Sequence, residues 1–169
     1  MTKIIAGTGH RPEKLGGYSN KVFTRLVALC QASLERLQPD QVISGMALGF
    51  DQALATAAIE LNIPLIAAIP FEGQECKWNH NDQVRYDHLL MCSTRIICVD
   101  KMGRYADSNS GYSAVKMQKR NEYMIDNCTK VLALYDGSSG GTGNCIKYAK
   151  SQNKPVLNVW NSWVKYKGF

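Results

Sequence analysis

Six short apolar runs punctuate this chain, at residues 3–8, 41–44, 64–69, 95–100, 130–135 and 155–159, and segments with helical spacing of apolar side chains separate them. Alternation of that kind predicts an α/β fold with a doubly wound, mainly parallel sheet, because parallel strands need long crossovers and helices supply them. The run Pro64-Leu65-Ile66-Ala67-Ala68-Ile69 is nearly all apolar, which implies a strand buried on both faces. Right-handed crossovers then put helices on both faces of the sheet. The first helix is expected over 20–37, where Val22, Leu26, Leu29, Cys30, Leu34 and Leu37 follow the helical period, with Ser19 or Asn20 as cap and Pro39 beyond the end. The second, over 50–61, carries Ala53, Ala55, Ala57 and Ala58, small side chains that let a helix lie close to a sheet. Further helices are expected over 82–92, 113–127 and 142–152.

No internal repeat or linker divides the 169 residues, so a single domain is expected, with its core over about 3–159. A short tail carries Trp160, Trp163, Tyr166 and Phe169, read as exposed rings able to dock on the domain or on a second subunit. Residues 101–112, with Gly103, Asp107, Ser108, Asn109, Ser110 and Gly111, read as a long polar loop, either a lid or a plain surface loop.

Hydrophobic content of 45% and charged content of 20% are those of a soluble globular protein. No apolar run approaches the roughly 20 residues that cross a bilayer, and the first residues lack a signal-peptide pattern, so no membrane is expected and the cytoplasm is the expected compartment. A net charge of +6 suits anionic ligands. The cations are scattered without interleaved aromatics, which leaves nucleic acid possible but not favoured. The six cysteines read as reduced thiols, with Cys30, Cys98 and Cys128 in or beside apolar segments. Cys76, His80, His88 and Cys92 form a C-x3-H-x7-H-x3-C spacing, but no C-x2-C knuckle accompanies it and a solvated His80 is the simpler reading. Neither a metal nor a cofactor is expected.

Chemistry concentrates after the strands. The fifth run meets Tyr135-Asp136-Gly137-Ser138-Ser139-Gly140-Gly141-Thr142-Gly143-Asn144, with four glycines in seven residues, and a helix follows at once. Strand, glycine loop and helix N-terminus is an arrangement that presents backbone N–H groups to an anion, usually phosphate. Gly7-Thr8-Gly9-His10-Arg11-Pro12 follows the first run, Ser44-Gly45-Met46-Ala47-Leu48-Gly49-Phe50-Asp51 the second, and Pro70-Phe71-Glu72-Gly73-Gln74 the third. Ligands of open α/β sheets bind at that edge. Arg11 and Arg120 offer paired donors to phosphate oxygens, with Arg120 equally readable as a surface ion-pair residue. Asp51 reads either as a helix N-terminal carboxylate or as an acceptor for a ribose hydroxyl or a general base. His10 reads as a ligand contact or a loop histidine. No lysine follows the glycines and no G-x-G-x-x-G follows the first strand, which argues against an ATP-hydrolysing P-loop and against hydride transfer from NAD.

Together these loops resemble the SLOG superfamily, the Rossmann-like group that holds LOG-type phosphoribohydrolases, DprA and the YpsA-like proteins. Thr8 to Pro12, Ser44 to Asp51, Pro70 to Gln74 with Trp78, Lys119 to Asp126, and Tyr135 to Gly137 with Gly140 and Gly141 resemble motifs of the YpsA-like branch. The resemblance implies a Rossmann-like fold and a pocket for nucleotide-derived ligands. It implies binding at Gly9, His10, Arg11, Ser44, Gly45, Met46, Gly49, Asp51, Arg120, Asp136, Gly137, Gly140, Gly141, Thr142, Gly143 and Asn144. LOG-type enzymes cleave the N-glycosidic bond of nucleoside monophosphates with an arginine, matched by Arg120, and a glutamate, whose position holds Lys147. An ammonium cannot take the carboxylate's role, so Asp51 and Glu72 stand beside Arg120 as the remaining catalytic candidates. A nucleotide-sensing or sequestering module, a glycosidase and a DprA-like binder of single-stranded DNA are therefore the expectations, in that order, and the family tendency is towards a homo-oligomer.

Overall fold

The computed structural model describes residues 1–166, so Phe169 lies outside the described residues. The six strands, β1 (Ile4–Gly9), β2 (Gln41–Ser44), β3 (Leu65–Ile69), β4 (Arg95–Cys98), β5 (Lys130–Leu134) and β6 (Val156–Asn158), form one sheet in the order β4-β3-β2-β1-β5-β6. Every pairing is parallel, with Ile5 beside both Val42 and Lys130. Side chains alternate across the sheet, so Ile5 and Ala6 feed opposite cores.

One face is covered by α1 (Asn20–Leu37), α2 (Phe50–Glu60) and α3 (His80–Cys92), whose Leu26, Leu34, Leu54 and Tyr86 share a core with β1 to β3. The other is covered by α4 (Ala114–Asp126) and α5 (Gly141–Ser151), through Met124, Ile125, Cys145 and Ala149. The four alanines of α2 are fully buried, as close packing of that helix requires. Among the described residues no helix is long and apolar enough to cross a membrane.

Three local readings change. The fourth strand stops at Cys98, and Val99–Lys101 and Gly103–Tyr105 are short 3-10 turns. Residues 101–112 are thus partly structured and held down. The Asp107 amide donates to the Asp100 carbonyl at 2.9 Å, and the buried Lys116 ammonium donates to Asp100 Oδ2 at 3.1 Å and to the Asn109 carbonyl. The tail forms a sixth helix, α6 (Trp160–Lys165), and Trp163 is buried rather than exposed. Its ring lies 3.7 Å from the Arg25 guanidinium carbon, so this aromatic docks on its own domain. Tyr166 remains exposed. All six cysteines are free, with Cys30, Cys128 and Cys145 buried and Cys98 half-buried. Cys92 Sγ and His88 Nε2 approach to 3.7 Å on the surface, and among the described residues no three His, Cys, Asp or Glu side chains converge.

Candidate functional site

From β1 the chain steps to β2 on one side, and β5 later returns to β1's other side. Strand order reverses there, and the loops leaving β1 and β5 diverge to open a crevice at the carboxyl edge. A cavity of about 590 Å³ occupies it, walled by both loops, by the start of α2 and by one face of α4.

The N-terminus of α5 opens onto this cavity without a cap. Helices α1, α3 and α4 each begin with a side chain, Ser19, Asn79 or Ser113, that accepts a first-turn N–H. Helix α5 begins at Gly140, with no side-chain cap and no acid in its first turn. The first helical bond runs from the Asn144 amide to the Gly140 carbonyl at 2.9 Å, and the amides of Gly141, Thr142 and Gly143 have no hydrogen-bond partner among the described residues. Unpaired N–H groups and the positive end of the helix dipole make an anion site. Gly140 has φ of +142°, which only glycine adopts readily, and a Cβ at Gly140 or Gly141 would meet nothing within 4 Å. Gly143 is different, since a Cβ there would come within 2.9 Å of the Tyr135 hydroxyl.

Arg120 reaches the cavity from α4 while 4% exposed. Its Nη1 donates to the Gly45 carbonyl at 2.6 Å and its Nε to Asn121 Oδ1 at 3.0 Å, which uses two of five N–H donors. Gly45 makes the room, because a Cβ there would lie 2.6 Å from the guanidinium carbon. Asp51, in the first turn of α2, lines the same cavity and is 7% exposed. Burial pushes its carboxyl up to about 6, against the opposing pull of Arg120, the Ala47 amide and Arg11. Burial likewise lowers Arg120, and Asp51 opposes that shift. The cavity therefore holds a buried cation together with an acid that burial has raised to about 6.

The glycines of the β1 loop serve packing. A Cβ on Gly7 would sit 2.1 Å from Leu54 Cδ2, and one on Gly9 would sit 2.4 Å from Phe50 Cγ. Helix α2 lies that close to β1. The Phe50 amide donates to the His10 carbonyl at 3.2 Å, and Gly49 has φ of +90° where a Cβ would meet that carbonyl at 2.7 Å. His10 then ties the β1 loop to the β5 loop, with Nε2 at 2.8 Å from Asp136 Oδ1 and Lys14 bonded to the Ser138 hydroxyl. Burial lowers the His10 imidazole against the pull of Asp136, while the Ser138 hydroxyl and amide, with His10, hold Asp136 well below the usual carboxylate range.

Of the predicted residues, Gly9, His10, Arg11, Asp51, Arg120, Gly140, Gly141, Thr142, Gly143 and Asn144 line the cavity. Ser44, Gly45, Met46, Gly49, Asp136 and Gly137 do not. Ser44 Oγ donates to the Asp51 carbonyl at 2.8 Å and accepts from the Met46 amide at 3.1 Å, so it shapes the turn behind Asp51. Met46 is fully buried in the core. Glu72 is 75% exposed on Lys101 Nζ at 2.8 Å and reaches no part of the cavity. Lys147 is exposed on α5, outside the lining. Lining residues that no sequence motif singled out include Glu13, Lys14, Tyr112, Met117 and Gln118, while Asn121 and Ser138 lay within quoted motifs without being named as site residues. Residues 114, 117, 118 and 121 share one helix face by their spacing, but nothing in their identities marks that face as turned to a site.

The motifs compare as the geometry does. The model of the YspA SLOG family (YpsA) matches residues 5–159. The chain belongs to the YspA SLOG family. The SPbeta prophage-derived protein YoqJ of Bacillus subtilis is 36% identical over 138 residues, covering 77% of this chain and 81% of that protein. Among solved structures, DNA processing protein A (DprA) of Streptococcus pneumoniae superposes with a TM-score of 0.65 at 17% identity, over 92% of this chain and 49% of that one. The chain thus spans about half of that DprA. Helicobacter pylori DprA, described for its single-stranded DNA binding mode, superposes at 0.61 with 16% identity, over 91% and 63% of the two chains. At these identities the superpositions speak for a shared SLOG-type fold.

Proposed function

We propose that this protein is a cytoplasmic single-domain module that binds a nucleotide-derived ligand by its phosphate, sensing or sequestering it. The observation that carries this reading is the uncapped start of α5, whose three unpartnered amides open onto the same cavity as Arg120. Three amides, a dipole end and a guanidinium suit a phosphate rather than a neutral group. Six free thiols support a reducing compartment. Titration of the protein against nucleoside monophosphates, cyclic nucleotides and ADP-ribose tests the reading. Binding that weakens at least tenfold in Arg120→Ala supports it, and absence of binding at millimolar ligand ends it.

A second reading has its own observation. Asp51 is a buried carboxyl with a pKa of about 6 in that cavity, suited to accept a proton from water attacking a sugar carbon. It predicts release of free base from a nucleoside monophosphate, lost in Asp51→Asn. Base release no greater than in a heat-killed control removes it. The DprA likeness suggests single-stranded DNA as a third ligand. Oligonucleotide binding that falls steeply with salt would favour it, and a flat salt response would exclude it.

A further inference from the structure

Helix α4 supplies one wall of the cavity, and its residues change character with depth. Ala114, Met117, Gln118 and Asn121 line that wall at i, i+3, i+4 and i+7. The helix returns the chain from the carboxyl edge of the sheet to the start of β5, so Ala114 lies at the mouth. Asn121 and its neighbour Arg120 lie about 10 Å further in, at 1.5 Å per residue. The inner half is charged. The α4 residues that line the outer half, Ala114, Met117 and Gln118, carry no charge, and Tyr112, two residues ahead of the helix, joins them.

Tyr112 lines the cavity yet is 67% exposed. Its ring meets Phe71 edge to face, with centroids 6.4 Å apart at 75°. The segment that carries it is fastened from beneath, by Lys116 on the Asn109 carbonyl and on Asp100 and by the Asp107 amide on the Asp100 carbonyl. The ring is held in place without being covered. Beside it, the Gln118 amide lines the cavity and has no hydrogen-bond partner among the described residues. An aromatic face, a thioether and an unpaired amide together match a flat ring with polar edges.

We infer that the outer half of the cavity is a subsite for a planar heteroaromatic base, stacked on Tyr112, packed against Met117 and met at its edge by Gln118. The inference rests on the phosphate reading of the α5 cradle and narrows it to base-bearing nucleotides, because a sugar phosphate leaves Tyr112 and Gln118 without a partner. Calorimetric titration with AMP and with ribose 5-phosphate tests it in the full-length chain and in Tyr112→Ala and Tyr112→Phe. Tyr112→Ala weakens AMP about tenfold and ribose 5-phosphate less than twofold, since base stacking on one aromatic ring is of that order. Tyr112→Phe restores AMP affinity to within about twofold of the parent, because the stacking face survives. Equal weakening of both ligands, or of neither, overturns the base subsite and leaves the phosphate cradle standing. Failure of the parent protein to bind either ligand overturns both.

Discussion

Two glycine-capped helices start at the same cavity, α2 after Gly49 and α5 after Gly140, and the chain completes them in opposite ways. At α2 the protein supplies its own partners: the Phe50 amide finds the His10 carbonyl, and the Asp51 carboxylate stands in the first turn. At α5 the amides of three residues have no partner among the described residues, and no acid stands in the first turn. The glycines differ to match. Those facing α2 are required by atoms already there, whereas Gly140 and Gly141 face open space. A glycine loop therefore has two physical meanings within one site, close packing on one side and room for a guest on the other. The α2 end also shows which force prevails. A helix dipole and two arginines favour the charged carboxylate, yet burial raises Asp51 to about 6.

The packing role of the β1 glycines is most exposed at Gly9. Gly9→Ala drives a Cβ into the Phe50 ring and its Cβ, at 2.4 and 2.6 Å, both parts that cannot simply swing away. A loss of about 3 kcal/mol or more in denaturant unfolding is expected, at the upper end for overpacked cores. A loss below ~0.5 kcal/mol would mean that the β1 glycines are not packing glycines.

Asp51→Asn acts with the opposite sign. A carboxyl raised from 3.8 to about 6 makes the folded state bind its proton before the unfolded chain does, so ionisation subtracts stability as pH rises through that window. Asparagine resembles the protonated form. The variant is expected to be more stable than the parent at pH 8, by at most about 3 kcal/mol from the two-unit shift. The difference closes below about pH 4. Thermal melts across that range decide it, and a variant less stable than the parent at pH 8 would show the Arg120 charge outweighing burial.

Gly141→Ala sharpens the other side. The new methyl meets nothing within 4 Å and the backbone there is not left-handed, so stability should change by less than about 0.5 kcal/mol, with a small gain from helix propensity. Affinity for AMP should fall at least fivefold, because the methyl enters the space that the amides face. Unchanged binding would mean that the ligand does not approach α5.

The order of strands and helices was legible because parallel strands buried on both faces leave short apolar runs, such as residues 64–69, with amphipathic segments between them. Ends were less so. Val99 continues the apolar run in sequence, but the chain turns there to bring Asp100 to Lys116, a contact sixteen residues away. Helix α6 carries too little period in six residues to be read from the sequence, and Trp163 is buried through its packing into the core, with Arg25 of α1 over its ring. In the site, the α5 loop was readable from its glycines alone. Gly7, Gly9 and Gly45 were not readable as packing positions, because what excludes a Cβ there is a side chain elsewhere: Leu54, Phe50 or Arg120. Tyr112 and Gln118 carry no motif, and only the descent of α4 along the cavity assigns them.

The smallest effect concerns the tie between the two loops. Burial lowers His10 from 6.5, so the unfolded chain takes up that proton first and stability falls as pH drops below 6.5. Asp51 works against this once pH passes below about 6, because there the folded state gains a proton that the unfolded chain does not yet hold. In the parent protein the two proton balances oppose one another below about pH 6, so the profile of melting temperature against pH is shallower there than His10 alone would make it. Asp51→Asn removes only the compensating half, so its melting temperature should fall more steeply than the parent's below about pH 6. Adding His10→Gln to Asp51→Asn should flatten the profile again. Parallel acid limbs in the parent and in Asp51→Asn would show that the two helix starts are not balanced through these groups, and that the His10–Asp136 tie holds equally well with the imidazole charged.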